Sequence, residues 1–208
     1  MEVKNIYCVG KNYEKHAKEL GSTVPAVPLI FSKPSHSLAP ADGRALAMPS
    51  DRGAIHYEGE IVIQMARPFE EGVSLEECIS GIALGVDFTL RDEQNRLREE
   101  RHPWLTAKGF PQSAALTEFF GFPGEQSFNN AEFTLVKNGE VVQIGDPKDM
   151  VFKLEDIMAF CQKNLGLDAG DIIYTGTPEG VGEVHDGDEI HLTWNGEETG
   201  RMTITKSP

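Results

Sequence analysis

The chain has 208 residues, 33 of them Asp or Glu and 19 Lys or Arg, for a formal net charge of −14. That balance excludes a partner that is a polyanion, because nucleic acids and anionic membrane surfaces are met by a basic stripe. Hydrophobic residues make up 39% and charged residues 25%, enough to close a core in one domain or at most two, while 21 Gly and 12 Pro imply frequent turns and few long helices.

Met1 to Asn5 is polar, and only Ile6-Tyr7-Cys8-Val9 follows before Gly10, too little for a signal peptide. No segment approaches the roughly 18 apolar residues of a membrane span. A cytoplasmic protein without membrane contact is expected. Asn5 to Val9 reads as a strand, Gly10-Lys11-Asn12 as a turn, and Tyr13 to Leu20 as a helix stopped at Gly21. On that helix His16 and Glu19 lie at i and i+3 and share a face. A Glu beside a His orients the ring as a general base requires, although surface pairs of this kind are common. Residues 22–54 are rich in Pro and Gly and read as loops with short strands such as Leu29-Ile30-Phe31.

Glu58 to Met65 reads as a strand. Residues two apart on a strand share a face, so Glu58 and Glu60 present paired carboxylates. Such a pair repels unless a proton or cation lies between, and a hard divalent cation such as Mg²⁺ would satisfy both. Two solvated surface glutamates are the plainer alternative. Ser74-Leu75-Glu76-Glu77 resembles a capping box and predicts a helix to about Ser80. Ile82 to Thr89 is an apolar, strand-like run containing Asp87. A carboxylate there is costly unless paired or metal-bound, which makes Asp87 a third candidate ligand, with a turn-capping Asp as the alternative.

Arg91 to Glu100 is helix-friendly and stops before Pro103. Arg91 and Gln94 lie three apart, and Arg suits a substrate carboxylate; an ion pair with Asp92 or Glu93 is the alternative. Lys108 sits in an apolar stretch, either snorkelling or facing an anion. Asn138-Gly139 marks a hairpin between Phe133–Lys137 and Glu140–Ile144. Leu154 to Leu165 reads as an amphipathic helix ending at Gly166. Asp171–Thr175, Glu189–Trp194 and Arg201–Thr205 read as strands, the last two parted by Asn195-Gly196. The loop Thr175 to Gly182 could offer backbone N–H groups to an anion. Cys8, Cys78 and Cys161 form no CxxC pair and are expected to be buried, inert thiols. HExxH, zinc-type Cys/His spacings and a Gly-x-Ser-x-Gly elbow are all lacking, so a covalent Ser or Cys mechanism has little support. Short strands with a few short helices and no βαβ rhythm predict an α+β fold around a β-rich core.

Taken in order, these motifs resemble the fumarylacetoacetate hydrolase family, in its small acylpyruvase-like branch. The resemblance rests on Cys8-Val9-Gly10-Lys11-Asn12-Tyr13 with His16 and Glu19, on Phe31-Ser32-Lys33-Pro34, and on His56-Tyr57-Glu58-Gly59-Glu60. It continues through Asp87 to Asp92 with Gln94, Pro103-Trp104, Ala107-Lys108, Asn138-Gly139 and Gly170 to Gly182. It implies a mixed β-sandwich roll with a few short helices, residues 1–208 as one catalytic domain with a mobile lid within residues 1–50, and a homodimer. It implies Mg²⁺ or Mn²⁺ as cofactor, no organic cofactor, and a small anionic 2-oxo acid as substrate.

By the same resemblance Glu58, Glu60 and Asp87 are metal ligands, and His16 with Glu19 is a water-activating dyad. Lys108 and Gln94 polarise the substrate. Arg91, Thr177 and Gly176 hold the 2-oxo acid, with Lys33 nearby. Where many members carry a Ser-Cys-Pro segment or similar after Ala107-Lys108, this chain has Pro111-Gln112-Ser113-Ala114-Ala115, on the side expected to meet the acyl group. The implied activity is hydrolysis of the C–C bond of acylpyruvates through a metal-bound pyruvate enolate. Decarboxylation of oxaloacetate, or tautomerisation of oxaloacetate or a 2-hydroxydienoate, uses the same enolate chemistry and stands as the alternative. A non-catalytic module holding structural Ca²⁺ leaves His16, Glu19 and Lys108 without a task.

Overall fold

The computed structural model describes residues 2–19 and 21–207. From the N-terminus, β1 (Ile6–Gly10) leads into α1 (Glu14–Glu19), β2 (Leu29–Lys33), β3 (Leu38–Pro40) and β4 (Asp42–Pro49). Then come β5 (Ile55–Tyr57), β6 (Gly59–Met65), α2 (Leu75–Cys78), β7 (Ile79–Asp87), β8 (Thr89–Leu90), α3 (Arg91–Glu99) and α4 (Leu105–Lys108). The remainder is β9 (Ala114–Leu116), α5 (Glu125–Asn129), β10 (Phe133–Lys137), β11 (Glu140–Gly145), α6 (Leu154–Asn164), β12 (Ile172–Tyr174), β13 (Gly182–Glu183), β14 (Glu189–Trp194) and β15 (Glu197–Ser207).

Three sheets form, and the α+β expectation holds. The largest has the order β2-β1-β12-β6-β7-β9-β3, the second β11-β10-β14-β15-β4, and a small one β13-β5-β8. Pairing is mixed: β1 runs parallel to β12, β3 to β9 and β15 to β4. The near-continuous apolar runs of β6 and β7 are explained by burial on both faces. Ile61, Ile63 and Met65 pack with Leu135, Ile190 and Leu192 of the second sheet. Val62, on the opposite face, packs with Cys8, Ala83 and Tyr174. Gly85 is needed here, since a Cβ would meet the Tyr174 ring and the carbonyl of Ala115.

Both Asn-Gly turns form with positive φ at each residue, 53° and 83° at Asn138-Gly139 and 51° and 82° at Asn195-Gly196. Gly21 ends the first helix in the left-handed region; Leu20, placed in that helix from sequence, lies outside the described residues. Two expectations fail. The helix from Ser74 to Ser80 is only α2, because Ile79 already pairs with Met65 in β7. Ser74 and Glu77 bond side chain to side chain at 3.1 Å instead of closing a capping box. Residues 22–54 are also more regular than their Pro and Gly content suggested, with β4 running parallel to the long β15. All three cysteines are buried, and burial pushes the Cys161 thiol up to about 12. Among the described residues no helix is long and apolar enough to cross a membrane.

Candidate active site

The topology brings four strand ends together. β1 and β12 run parallel, and β6 lies antiparallel to both β12 and β7. The C-terminal ends of β1, β12 and β7 therefore meet the N-terminal end of β6 at one end of the large sheet. Asp87 closes β7, Glu58 immediately precedes β6 and Glu60 is its second residue, and the amide of Asp87 donates to the carbonyl of Glu58 at 2.8 Å. The three carboxylates are all buried and offer oxygens within 4.8 Å of one another, so the solvated-surface reading of Glu58 and Glu60 is excluded.

Three buried cations surround them. Lys108 Nζ donates to Glu58 Oε2 at 2.8 Å, to Asp87 Oδ2 at 2.6 Å and to Thr89 Oγ1 at 2.7 Å. Its side chain is buried, not snorkelling. Arg91 donates to Glu58 Oε1 through Nη2 at 2.5 Å and to Gln94 Oε1 through Nη1 at 2.6 Å. The i, i+3 spacing on α3 thus joins Arg91 to Gln94, and its ion pair is with Glu58 instead of Asp92 or Glu93. Lys33 Nζ donates to the carbonyls of Phe88, Ser113 and Lys108.

The carboxylates are held unequally. Burial alone would raise Glu58, but the charges of Lys108 and Arg91, with His16 behind them, hold it well below the usual carboxylate range. Glu60 is pushed well up, first by burial and then by the charges of Asp87 and Glu58. Its relief comes from the amide of Gly176, which donates to Oε2 at 2.8 Å. The anion foreseen for the Thr175–Gly182 loop is therefore the chain's own Glu60. Lys108 would be lowered by burial, but Asp87 and Glu58 outweigh that and raise it.

This donor set fits a hard divalent cation: three carboxylates and no sulfur or imidazole. Asp87 Oδ1 supplies a second sign. It lies 2.7 Å from Lys33 Nζ yet accepts no directed hydrogen bond, because the protons of Lys33 are aimed at carbonyl oxygens.

His16, Glu58, Glu60 and Asp87 line one cavity of about 30 Å³, together with Arg91, Gln94, Lys108 and Thr177. Glu19 lies behind His16, its Oε2 3.3 Å from Nδ1, and accepts from the amide of Gly180 at 3.2 Å. Gly176 and Lys33 do not line the cavity. Lys33 instead supports Asp87 from behind. The Thr177 hydroxyl donates to the carbonyl of Gly59 at 2.8 Å, so its proton is already engaged. The segment Pro111 to Ala115 does not line the cavity either. Ser113 is buried against the carbonyl of Lys108, Gln112 accepts from Ala47, and Ala114 and Ala115 pair with β7.

Gln143 escaped sequence reasoning. From β11 of the second sheet its Oε1 accepts from the amide of Gly59, between the two glutamates, at 2.8 Å. Its Nε2 donates to Thr177 Oγ1 at 2.8 Å and to the carbonyl of Pro178 at 3.0 Å. The only signal was a polar residue between valines and an isoleucine.

The sequence profile of the fumarylacetoacetate (FAA) hydrolase C-terminal domain matches residues 5–205. The chain is 37% identical over 199 residues to oxaloacetate tautomerase YcgM of Escherichia coli (strain K12), covering 93% of this chain and 90% of that protein. It is 36% identical over 196 residues to the mitochondrial oxaloacetate tautomerase FAHD1 of Homo sapiens, covering 93% and 88%. Fumarylpyruvate hydrolase from Pseudomonas aeruginosa, solved in complex with Mn²⁺ and pyruvate, superposes with a TM-score of 0.90 at 31% identity, over 99% of this chain and 91% of that one.

Proposed function

The chain belongs to the fumarylacetoacetate hydrolase family, and from that premise we propose that it interconverts the enol and keto forms of oxaloacetate or a similar 2-oxo dicarboxylic acid, with Mg²⁺ or Mn²⁺. The observation that carries this reading is the opening of one buried, Glu19-oriented imidazole, His16, onto the same cavity as three clustered carboxylates. Tautomerisation moves one proton off carbon and one onto oxygen, which a single positioned acid–base group can serve. The identity shared with oxaloacetate tautomerases over most of the chain supports the same substrate class.

Glu58, Glu60 and Asp87 would hold the cation, which when bound supplies Lewis acidity at the 2-oxo oxygen. In the keto-to-enol direction His16 takes the proton from the methylene carbon and delivers it to the 2-oxo oxygen, enol loss runs the same transfer in reverse, and Glu19 holds the ring. Lys108 places a fixed positive charge beside the oxygen on which negative charge grows. Arg91 Nε is buried without a hydrogen-bond partner, and a substrate carboxylate would satisfy it. Gln94 keeps the guanidinium turned towards the site. Phe31 and Trp104, packed edge to face at 5.9 Å, keep water from that side of the cavity. Entry of substrate requires α1, tied down through Glu19 to Gly180 and through Lys15 to Glu179 at 3.3 Å, to move as a lid.

A second reading is hydrolysis of acylpyruvates, in which His16 activates water. The likeness to the fumarylpyruvate hydrolase favours it. The test is to follow loss of enol oxaloacetate by ultraviolet absorbance with purified, Mn²⁺-loaded protein, and pyruvate release from acetylpyruvate and fumarylpyruvate in parallel. We expect faster enol loss, reduced about 10²–10⁴-fold in His16→Ala. Rapid pyruvate release with no effect on the oxaloacetate enol would replace the first reading by the second.

A further inference from the structure

Lys33 and Lys108 are spent on carboxylates, carbonyls and the Thr89 hydroxyl, and Arg91 keeps only its Nε free. Two further cations line the same cavity, Lys11 and Arg98. Neither has a carboxylate partner among the described residues, in a chain with 33 acidic side chains. Of the acids nearby in sequence, Glu14 pairs with Lys18 at 2.7 Å and Glu100 with Arg96 at 2.9 Å, while Glu99 makes no ion pair with either cation among the described residues. Both cations line that one cavity, and burial, and then the charge of Arg98, lower the Lys11 ammonium from its ordinary value.

Their placement is specific. Arg91, Gln94 and Arg98 stand at i, i+3 and i+7 and form one stripe on α3. Arg91 and Gln94 are buried and Arg98 is exposed, so the stripe runs from the metal site to the mouth. Lys11 has φ of 61°, a left-handed conformation uncommon for a residue with a Cβ. Asn12 fixes the backbone beside it, donating to the carbonyls of Thr175 at 2.8 Å and Phe152 at 3.1 Å.

We propose that Lys11 and Arg98 form a subsite for the distal carboxylate of the substrate, selecting 2-oxo dicarboxylic acids over 2-oxo acids with neutral tails. The inference rests on the functional reading above and names the part of the substrate that this reading leaves unassigned. Like-charged groups held together at a cavity mouth are relieved by an anion between them, and a guanidinium and an ammonium both suit a carboxylate.

The test uses Mn²⁺-loaded full-length protein and calorimetric binding of malate, 2-hydroxybutyrate and oxalate. The first two share a chelating hydroxy-acid end and differ by a carboxylate in place of a methyl group. Wild type is expected to bind malate about tenfold more tightly than 2-hydroxybutyrate, roughly one well-placed charged contact. Lys11→Gln and Arg98→Gln should each shrink that preference, and the double variant should abolish it while oxalate binding is unchanged. Arg96→Gln, which removes the same charge from the same helix outside the cavity, should leave the preference intact. Equal binding of malate and 2-hydroxybutyrate by wild type, or equal losses for both in the variants, overturns the subsite while oxalate binding upholds the metal site. Failure of all three ligands to bind wild type overturns the functional reading and the subsite with it.

Discussion

Glu58 and Glu60 stand two residues apart yet differ in what holds their charge. Glu58 has Lys108 and Arg91 on its oxygens, whereas Glu60 has a backbone amide and two carboxylate neighbours. Of these two, Glu60 is therefore the one more ready to keep a proton in the metal-free protein, and the one a cation would ionise. Glu60→Gln should retain the acceptor for the Gly176 amide and remove the penalty of ionising the group. Because burial and the charges of Asp87 and Glu58 raise Glu60, the variant should be more stable than wild type at pH 8 in chelator. It should also lose most Mn²⁺ affinity. Urea unfolding in chelator and Mn²⁺ calorimetry in buffers of different ionisation enthalpy would check both, the second by showing proton release on binding that depends on Glu60. A variant less stable than wild type in chelator would contradict this account.

At the scale of the element, β11 shows what sequence periodicity hides. Val141 and Ile144 are each 56% exposed while Gln143 is buried, the inverse of an apolar-inward strand. A bulge opposite Leu135 and Val136 leaves Val142 without a cross-strand partner and turns Gln143 inward. Its partners are 84, 34 and 35 residues away in sequence, so no local pattern could announce it. By contrast the His16–Glu19 and Arg91–Gln94 pairs are legible because helix spacing alone makes them neighbours. Glu58 and Glu60 are legible as a pair because strand parity puts them on one face. Addition of Asp87 was legible from its cost at the end of an apolar run, and the family resemblance supplied the roles. Gln143→Leu should leave the Gly59 amide without its acceptor and cost about 1–3 kcal/mol. It should also weaken Mn²⁺ binding, because Gly59 carries a proposed ligand on either side. Gln143→Glu keeps the acceptor but not the donors to Thr177 and Pro178, and should fall between Leu and wild type. Chemical denaturation with Mn²⁺ titration checks the series; unchanged Mn²⁺ affinity in the Leu variant would reduce Gln143 to a packing residue.

For the whole molecule, the site is expected to couple folding to pH and metal together. Three carboxylates and three cations are gathered at one end of a sheet whose strands come from distant parts of the chain, so the charge of the centre is set by the fold and not by the net −14. The Glu58 carboxyl, held below its ordinary 4.5, contributes stability fully present above about pH 4.5 and lost as pH falls towards its folded value. Glu60, raised above 4.5, acts in the opposite sense: its contribution is present below about pH 4.5 and lost as pH rises through its folded value. Above pH 4.5 the Glu58 contribution is constant, so of the two it is Glu60 that governs the change. A cation at the centre replaces the proton on Glu60 and removes that loss, since a ligand bound only by the folded state stabilises it by mass action. The rise in Tm on adding Mn²⁺ should therefore grow as pH is raised from 5 to 8, and Glu60→Gln should show almost none of it. Repulsion among surface carboxylates acts on loaded and metal-free protein alike and cancels in that difference. Thermal melts at matched ionic strength, with chelator or Mn²⁺ at each pH, read it directly, and an increment that stays flat across the range would show that Glu60 enters the centre already ionised.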